Sequence, residues 1–124
     1  VAVLGEPGWA ELFGADALAE APIAALVGEQ VISGTIDRLL ISPTRIRLVD
    51  FKTARRVPAD ASRVPVAILR QMAAYSAALS AAYPGRAIEA AVLYTQAPRL
   101  IEIPADMLET HKRALAPAQE SLAL

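Results

Sequence analysis

The sequence predicts a mixed α/β (α+β) domain whose central β-sheet is flanked by helices. Three observations lead there. Segments rich in Val, Ile, Leu and Thr recur at strand length between turn residues. Pro65 to Ala82 instead carries an apolar stripe at helical spacing. The order that results is helix, three strands, helix, two strands, helix, which in 124 residues suits one core and one domain.

The first helix is expected at Pro7 to Phe13, where Pro opens the turn, Gly14 stops it, and Trp9, Leu12 and Phe13 anchor it. Pro22 interrupts an alanine-rich segment, so a first strand is expected around Ala19 to Ala25, ended by Gly28. Val31 to Ile41 and Arg45 to Thr53 follow as strands, and Ser42-Pro43-Thr44-Arg45 between them suits a type I turn. A symmetric turn pairs Ile41 with Ile46, Leu39 with Leu48 and Asp37 with Asp50. A slip of one residue would send Asp37 to the other face of the sheet from Asp50.

Ala54 to Val64 is polar, arginine-rich and broken by Pro58, and reads as a loop. In the helix from Pro65 to Ala82, Ile68, Met72, Tyr75 and Leu79 form the buried stripe, and Tyr83-Pro84-Gly85 ends it. Ala87 to Thr95 and Arg99 to Ile103 are further strands. Ala105 to Leu115 is a closing helix bounded by Pro104 and Pro117.

Apolar residues make up 55% of the chain and charged residues 20%, which indicates a packed domain rather than disorder. No window approaches the roughly 18 apolar residues of a membrane span, and no export signal opens the chain. The cytoplasm is the expected compartment. The absence of cysteine excludes disulfides and any cysteine-ligated zinc or iron–sulfur cluster. The chain opens on Val1 without a clear helix cap, so a fragment of a longer protein is expected.

Net charge is −1, which by itself argues against nucleic acid. Its distribution argues the other way. Arg45, Arg47, Lys52, Arg55, Arg56, Arg63 and Arg70 face only Asp50 and Asp60 over that stretch. Such a patch suits phosphate contacts, with Arg55, Arg56, Arg63 and Arg70 the candidates for DNA; a solvated arginine face is the alternative.

Alternation places Asp50 and Lys52 on one side of their strand and Phe51 on the other. With Asp37 opposite, two carboxylates and an ammonium meet. The carboxylates repel, and a hard divalent cation such as Mg2+ or Mn2+ would resolve the repulsion, with the Phe51 carbonyl oxygen as a third ligand. Such a cation activates water and neutralises charge on a scissile phosphate, while Lys52 orients the water and adds positive charge. The plainer alternative is a pair of ordinary strand ion pairs.

Gln71 and Tyr75 stand one helical turn apart on the following helix, where Tyr75 also serves the apolar stripe. Together, Gly34-Thr35-Ile36-Asp37-Arg38, Val49-Asp50-Phe51-Lys52-Thr53 and Gln71-Met72-Ala73-Ala74-Tyr75 resemble the motifs of the PD-(D/E)xK nuclease superfamily, in its RecB-like branch. Leu93-Tyr94-Thr95, on the next strand, is similar to the corresponding segment of AddA-type subunits of bacterial helicase–nucleases. The resemblance covers roughly residues 17 to 103.

It implies a restriction-endonuclease-like fold and a Mg2+-dependent exodeoxyribonuclease or endonuclease. By its pattern Asp37 and Asp50 ligate metal, Lys52 is the catalytic lysine, and Gln71 and Tyr75 position DNA or the site. Glu20 stands where the family often has an acid. It also implies a double-strand break repair context, with a helicase motor in the parent chain, an AddB-like partner subunit and single-stranded DNA at the site. No ATP site is expected in these residues. One departure matters: the branch usually carries a histidine upstream of the first strand, whereas His111 in the closing helix is the sole histidine here. Two other readings stay open: a nuclease-fold module that binds DNA or a partner without cutting, and a stand-alone endonuclease, against which Gln71 and Tyr75 speak.

Overall fold

The computed structural model describes residues 17–123 except residue 97, with side chains described as far as residue 115. The expected helix at Pro7 to Phe13 lies outside the described residues. Five strands form one mixed sheet in chain order: β1 (Leu18–Val27), β2 (Gln30–Ile41), β3 (Arg45–Lys52), β4 (Ala87–Tyr94) and β5 (Arg99–Ile103). Neighbours are antiparallel except β3 and β4, which run parallel and are joined by the crossover helix α1 (Val66–Ala82).

The connection is tight, as expected, but its backbone bond runs opposite to the one that closes a type I turn. Ser42 N–H donates to the Arg45 carbonyl at 2.9 Å, and the Ser42 hydroxyl donates to the same oxygen at 2.7 Å. Ile41 therefore pairs with Ile46, and Leu39 with Leu48, as a symmetric turn requires.

One side of the sheet carries the main core. Ile32, Ile36, Leu39, Ile46, Leu48, Ala90, Val92, Ile101 and Ile103 pack there with Leu69, Met72 and Leu79 of α1. A second helix, α2 (Ala105–Ala123), packs on α1 and sends Leu108 into the same core. Because α1 lies between the sheet and α2, its buried surface is wider than the expected stripe and takes in Ala73, Ser76 and Ala78. The other side of the sheet holds a smaller cluster of Val49, Ala91 and Leu93.

Two expectations about element ends need correction. Pro117 does not close α2, which continues to Ala123. The loop after β3 contains a 3-10 turn (Ala61–Arg63), because the Asp60 carboxylate caps it by accepting Ser62 N–H at 3.0 Å.

Strict alternation fails at one place. Ile36 and Leu39 both face the main core although they are three residues apart. The β1–β2 ladder runs from Leu18↔Leu39 to Val27↔Gln30 but skips the position of Glu20 and Asp37. There Glu20 takes φ 51°, a left-handed conformation that is strained for a residue with a side chain. β2 thus reverses its facing between Ile36 and Leu39, opposite left-handed Glu20, without changing register.

Gly34, on the same strand, is required by packing. A Cβ there would overlap the Tyr75 hydroxyl and stand 3.0 Å from Cε1 and Cζ of that ring. Gly34→Ala should therefore destabilise the domain by about 1–3 kcal/mol. Urea denaturation of Gly34→Ala with and without Tyr75→Phe checks this, with the double variant recovering part of the loss.

Candidate active site

Asp50 and Lys52 lie at the C-terminal end of β3, the strand held between antiparallel β2 and parallel β4. Ile46 and Leu48 precede them on the same face and are fully buried, so alternation carries Asp50 to the edge of the core, where it is 5% exposed. Phe51 turns to the opposite face with Val49 and Leu93.

Asp37 arrives from β2. Ladder pairing of β2 with β3 stops at Arg38↔Val49. Beyond it Phe51 N–H donates to Asp37 Oδ2 at 2.7 Å, so a carboxylate ties the two strands together. This contact draws the Asp37 side chain to the Asp50 carboxyl, whose protonation it affects directly. Lys52 Nζ sits 2.9 Å from Asp50 Oδ2. The ammonium is thus the one cation at this buried oxygen among the described residues, in an ion pair whose geometry is poorly aligned for a hydrogen bond. Burial pushes the Asp50 pKa up; Lys52 opposes the rise and Asp37 adds to it.

This donor set fits a hard divalent cation. It has two carboxylates against one ammonium, a buried carboxylate oxygen short of donors, and the Phe51 peptide between the acid and the lysine. Among the described residues no group of three or more His, Cys, Asp or Glu side chains comes together. Glu20 is accordingly not gathered with Asp37 and Asp50: it is exposed, and its left-handed backbone departs from the alternation that would carry it there. His111 lies on α2, which packs on α1, and joins no such group.

Gln71 and Tyr75 form a pair on α1, with Gln71 Nε2 donating to Tyr75 Oη at 3.3 Å. The Tyr75 ring is buried against Gly34, three residues before Asp37. This motif therefore braces the strand that presents Asp37.

Of the four candidate arginines, Arg56 and Arg63 line a groove of about 520 Å³ with Lys52, Ile68 and Tyr94. Arg55 and Arg70 are exposed and stand outside that lining. The groove's loop is fastened by Arg99, whose Nη1 donates to the Pro58 carbonyl at 3.2 Å.

Tyr94, quoted in the Leu93-Tyr94-Thr95 segment but given no role by the sequence, also lines this groove. It pairs with Lys52 across the parallel ladder, faces the same side, and is 1% exposed. Burial raises its pKa, so the phenol keeps its proton; the positive charge of Lys52 opposes that rise and the negative charge of Asp50 adds to it. The signal that would have found it is topological: a strand, a helix and a strand in succession favour parallel pairing, which sets the end of β4 beside the end of β3.

The sequence profile of the PD-(D/E)XK nuclease superfamily matches residues 6–123. No curated protein sequence matches the chain. A solved structure, "Crystal structure of SSO0001", aligns with a TM-score of 0.47 and 20% identity over 91% of this chain and 54% of the other. The chain thus spans about half the length of that protein, and a similarity this loose carries no functional argument.

The raised pKa of Asp50 has a direct consequence for stability. The folded state holds its proton more tightly than the unfolded chain, so the contribution is present below the unfolded pKa and is lost as pH rises through the folded one. In chelator, stability should fall across that window. Asp50→Asn should abolish the fall, and Mg2+ should offset it in the parent, as read by urea denaturation at a series of pH values.

Proposed function

The chain belongs to the PD-(D/E)XK nuclease superfamily, and on that premise we propose that it hydrolyses DNA phosphodiester bonds, with Asp37 and Asp50 as metal ligands and Lys52 as the catalytic lysine. The observation that carries this reading is the convergence of Asp37, buried Asp50 and Lys52, the last of which also lines a groove edged by Arg56 and Arg63.

Asp37, Asp50 and the Phe51 carbonyl would hold Mg2+ or Mn2+, which supplies positive charge to phosphoryl oxygens and acidifies water. Lys52 orients the attacking water and lends charge beside the phosphate. Arg56 and Arg63 bind the backbone phosphates of the strand in the groove, and Arg55 and Arg70 extend the basic surface beyond it. Gln71 and Tyr75 keep β2 in place so that Asp37 meets Asp50.

The finer assignment is to the RecB-like branch: a nuclease domain of an AddA-like helicase–nuclease in cytoplasmic double-strand break repair. It would act on single-stranded DNA as an exodeoxyribonuclease or endonuclease, with the helicase motor and its ATP site elsewhere in the parent chain and an AddB-like partner subunit. The glycine and acid of β2, the acid and lysine of β3 and the Gln71–Tyr75 pair support it. No helix among the described residues is long and apolar enough to cross a membrane.

A second reading, a nuclease-fold module that binds DNA without cutting, draws on the want of a third clustered ligand side chain among the described residues. Cleavage of labelled single-stranded DNA in Mg2+ or Mn2+ separates the two. We expect Asp37→Ala, Asp50→Ala and Lys52→Ala each to lower the rate by at least about 10²–10³-fold; equal rates in parent and variants would refute the catalytic assignment. An inert parent that still binds DNA would establish the second reading.

Binding can be followed in parallel through its salt dependence. Arg56→Ala and Arg63→Ala should each flatten the plot of log affinity against log salt by roughly 0.7 on single strands. An unchanged slope would remove these residues from the interface.

A further inference from the structure

Tyr94 Oη is a buried polar atom with no hydrogen-bond partner among the described residues. Phenylalanine would fill the same space without desolvating a hydroxyl, so packing does not account for the oxygen. Its surroundings do suggest a use. Tyr94 is the ladder partner of Lys52 across the parallel strands, faces the same side, and sits with it in the groove. Lys52 Nζ is held at present by Asp50 Oδ2 at 2.9 Å.

A cation on Asp50 would compete for that oxygen and repel the ammonium. Lys52 then needs another acceptor, because a four-carbon stem with a free ammonium does not hold a fixed direction. The phenol of its ladder neighbour is a neutral acceptor on the same face.

We infer that Tyr94 is a positioning residue for Lys52: its phenol oxygen accepts a hydrogen bond from the ammonium when Asp50 engages a divalent cation, and so fixes Lys52 over the groove. The inference rests on the metal-site reading of Asp37 and Asp50. It assigns the hydroxyl a partner that arrives with the metal, and it makes the coupling between Tyr94 and Lys52 conditional on that metal.

A double-mutant cycle on the whole chain tests it, using the parent, Tyr94→Phe, Lys52→Met and the double variant. Thermal melting is measured in chelator and in saturating Mg2+, and DNA cleavage is followed beside it. In chelator, Tyr94→Phe should melt at or above the parent temperature, since only an unpartnered hydroxyl is lost. In Mg2+, its metal-induced rise should fall short of the parent's by roughly 3–6 °C, and that shortfall should vanish in the Lys52→Met background. Its kcat should drop about tenfold with KM unchanged, as expected for a loss in orientation alone.

If Mg2+ stabilises the parent and Tyr94→Phe equally, or if the coupling is the same with and without metal, the inference is overturned while the metal site stands. If Mg2+ does not stabilise even the parent, the metal-site reading itself fails and this inference falls with it.

Discussion

The hydrogen bond from Phe51 N–H to Asp37 Oδ2 is the contact on which the arrangement of the site depends. An antiparallel pair normally satisfies its peptide groups with the facing strand. Here the β2–β3 ladder ends at Arg38↔Val49 and a carboxylate takes up the next exchange. The consequence is positional. Asp37 is fixed to the peptide that follows Asp50, so its approach is set by backbone geometry and not by a flexible rotamer. The reversal of facing in β2, opposite Glu20, belongs to the same feature, because strict alternation from Ile36 onward would continue a regular ladder through this point. Left-handed Glu20 is strain held beside the candidate site.

Packing behind the site preserves this geometry. Tyr75 reaches β2 only because Gly34 offers no side chain, and the Gln71–Tyr75 hydrogen bond holds the ring's polar end on α1. The helix is itself held between the sheet and α2. A displacement of α1 would therefore be felt at Asp37 through the strand, although neither Gln71 nor Tyr75 supplies a carboxylate. On the open side, Arg99 fastens the loop at Pro58, and Asp60 caps the turn that carries Arg63. The basic edge of the groove is thus tied to β5 and to local turn chemistry.

Much of this was legible in the sequence, for identifiable reasons. Ser42-Pro43-Thr44-Arg45 specifies a tight turn, and a tight turn fixes the β2–β3 register. The apolar stripe of α1 is long and uninterrupted, and its i, i+4 pair becomes a real hydrogen bond. The features that escaped the sequence depend on pairing between distant segments. Nothing local to Tyr94 says that it will lie beside Lys52; its place is set by the parallel crossover through α1. Glu20 reads as an ordinary acid on a strand until the backbone is seen to be left-handed there. The arginines of the loop read alike, and only the folded groove separates Arg56 and Arg63 from Arg55 and Arg70.

The same strand offers an internal comparison for the claim that Asp50 and Lys52 are more than a structural ion pair. On the opposite face of β3, Arg47 pairs across the ladder with Glu89 of β4, Nε to Oε1 at 2.8 Å, and Arg45 approaches the same oxygen at 3.7 Å. There a buried guanidinium meets a partly exposed acid, cations outnumber the carboxylate, and solvent reaches the cluster. This is a common way to satisfy a buried base. Asp50 has the inverse arrangement. The carboxylate is the buried partner, a second carboxylate is directed at it, and one ammonium faces both. Asp37 has a structural task in accepting Phe51 N–H, but a neutral acceptor there would perform it without adding to the repulsion. On the metal-site reading, a bound cation would offset this excess negative charge. One strand thus carries two contrasting clusters, one in which cations outnumber the carboxylate and one in which carboxylates outnumber the cation.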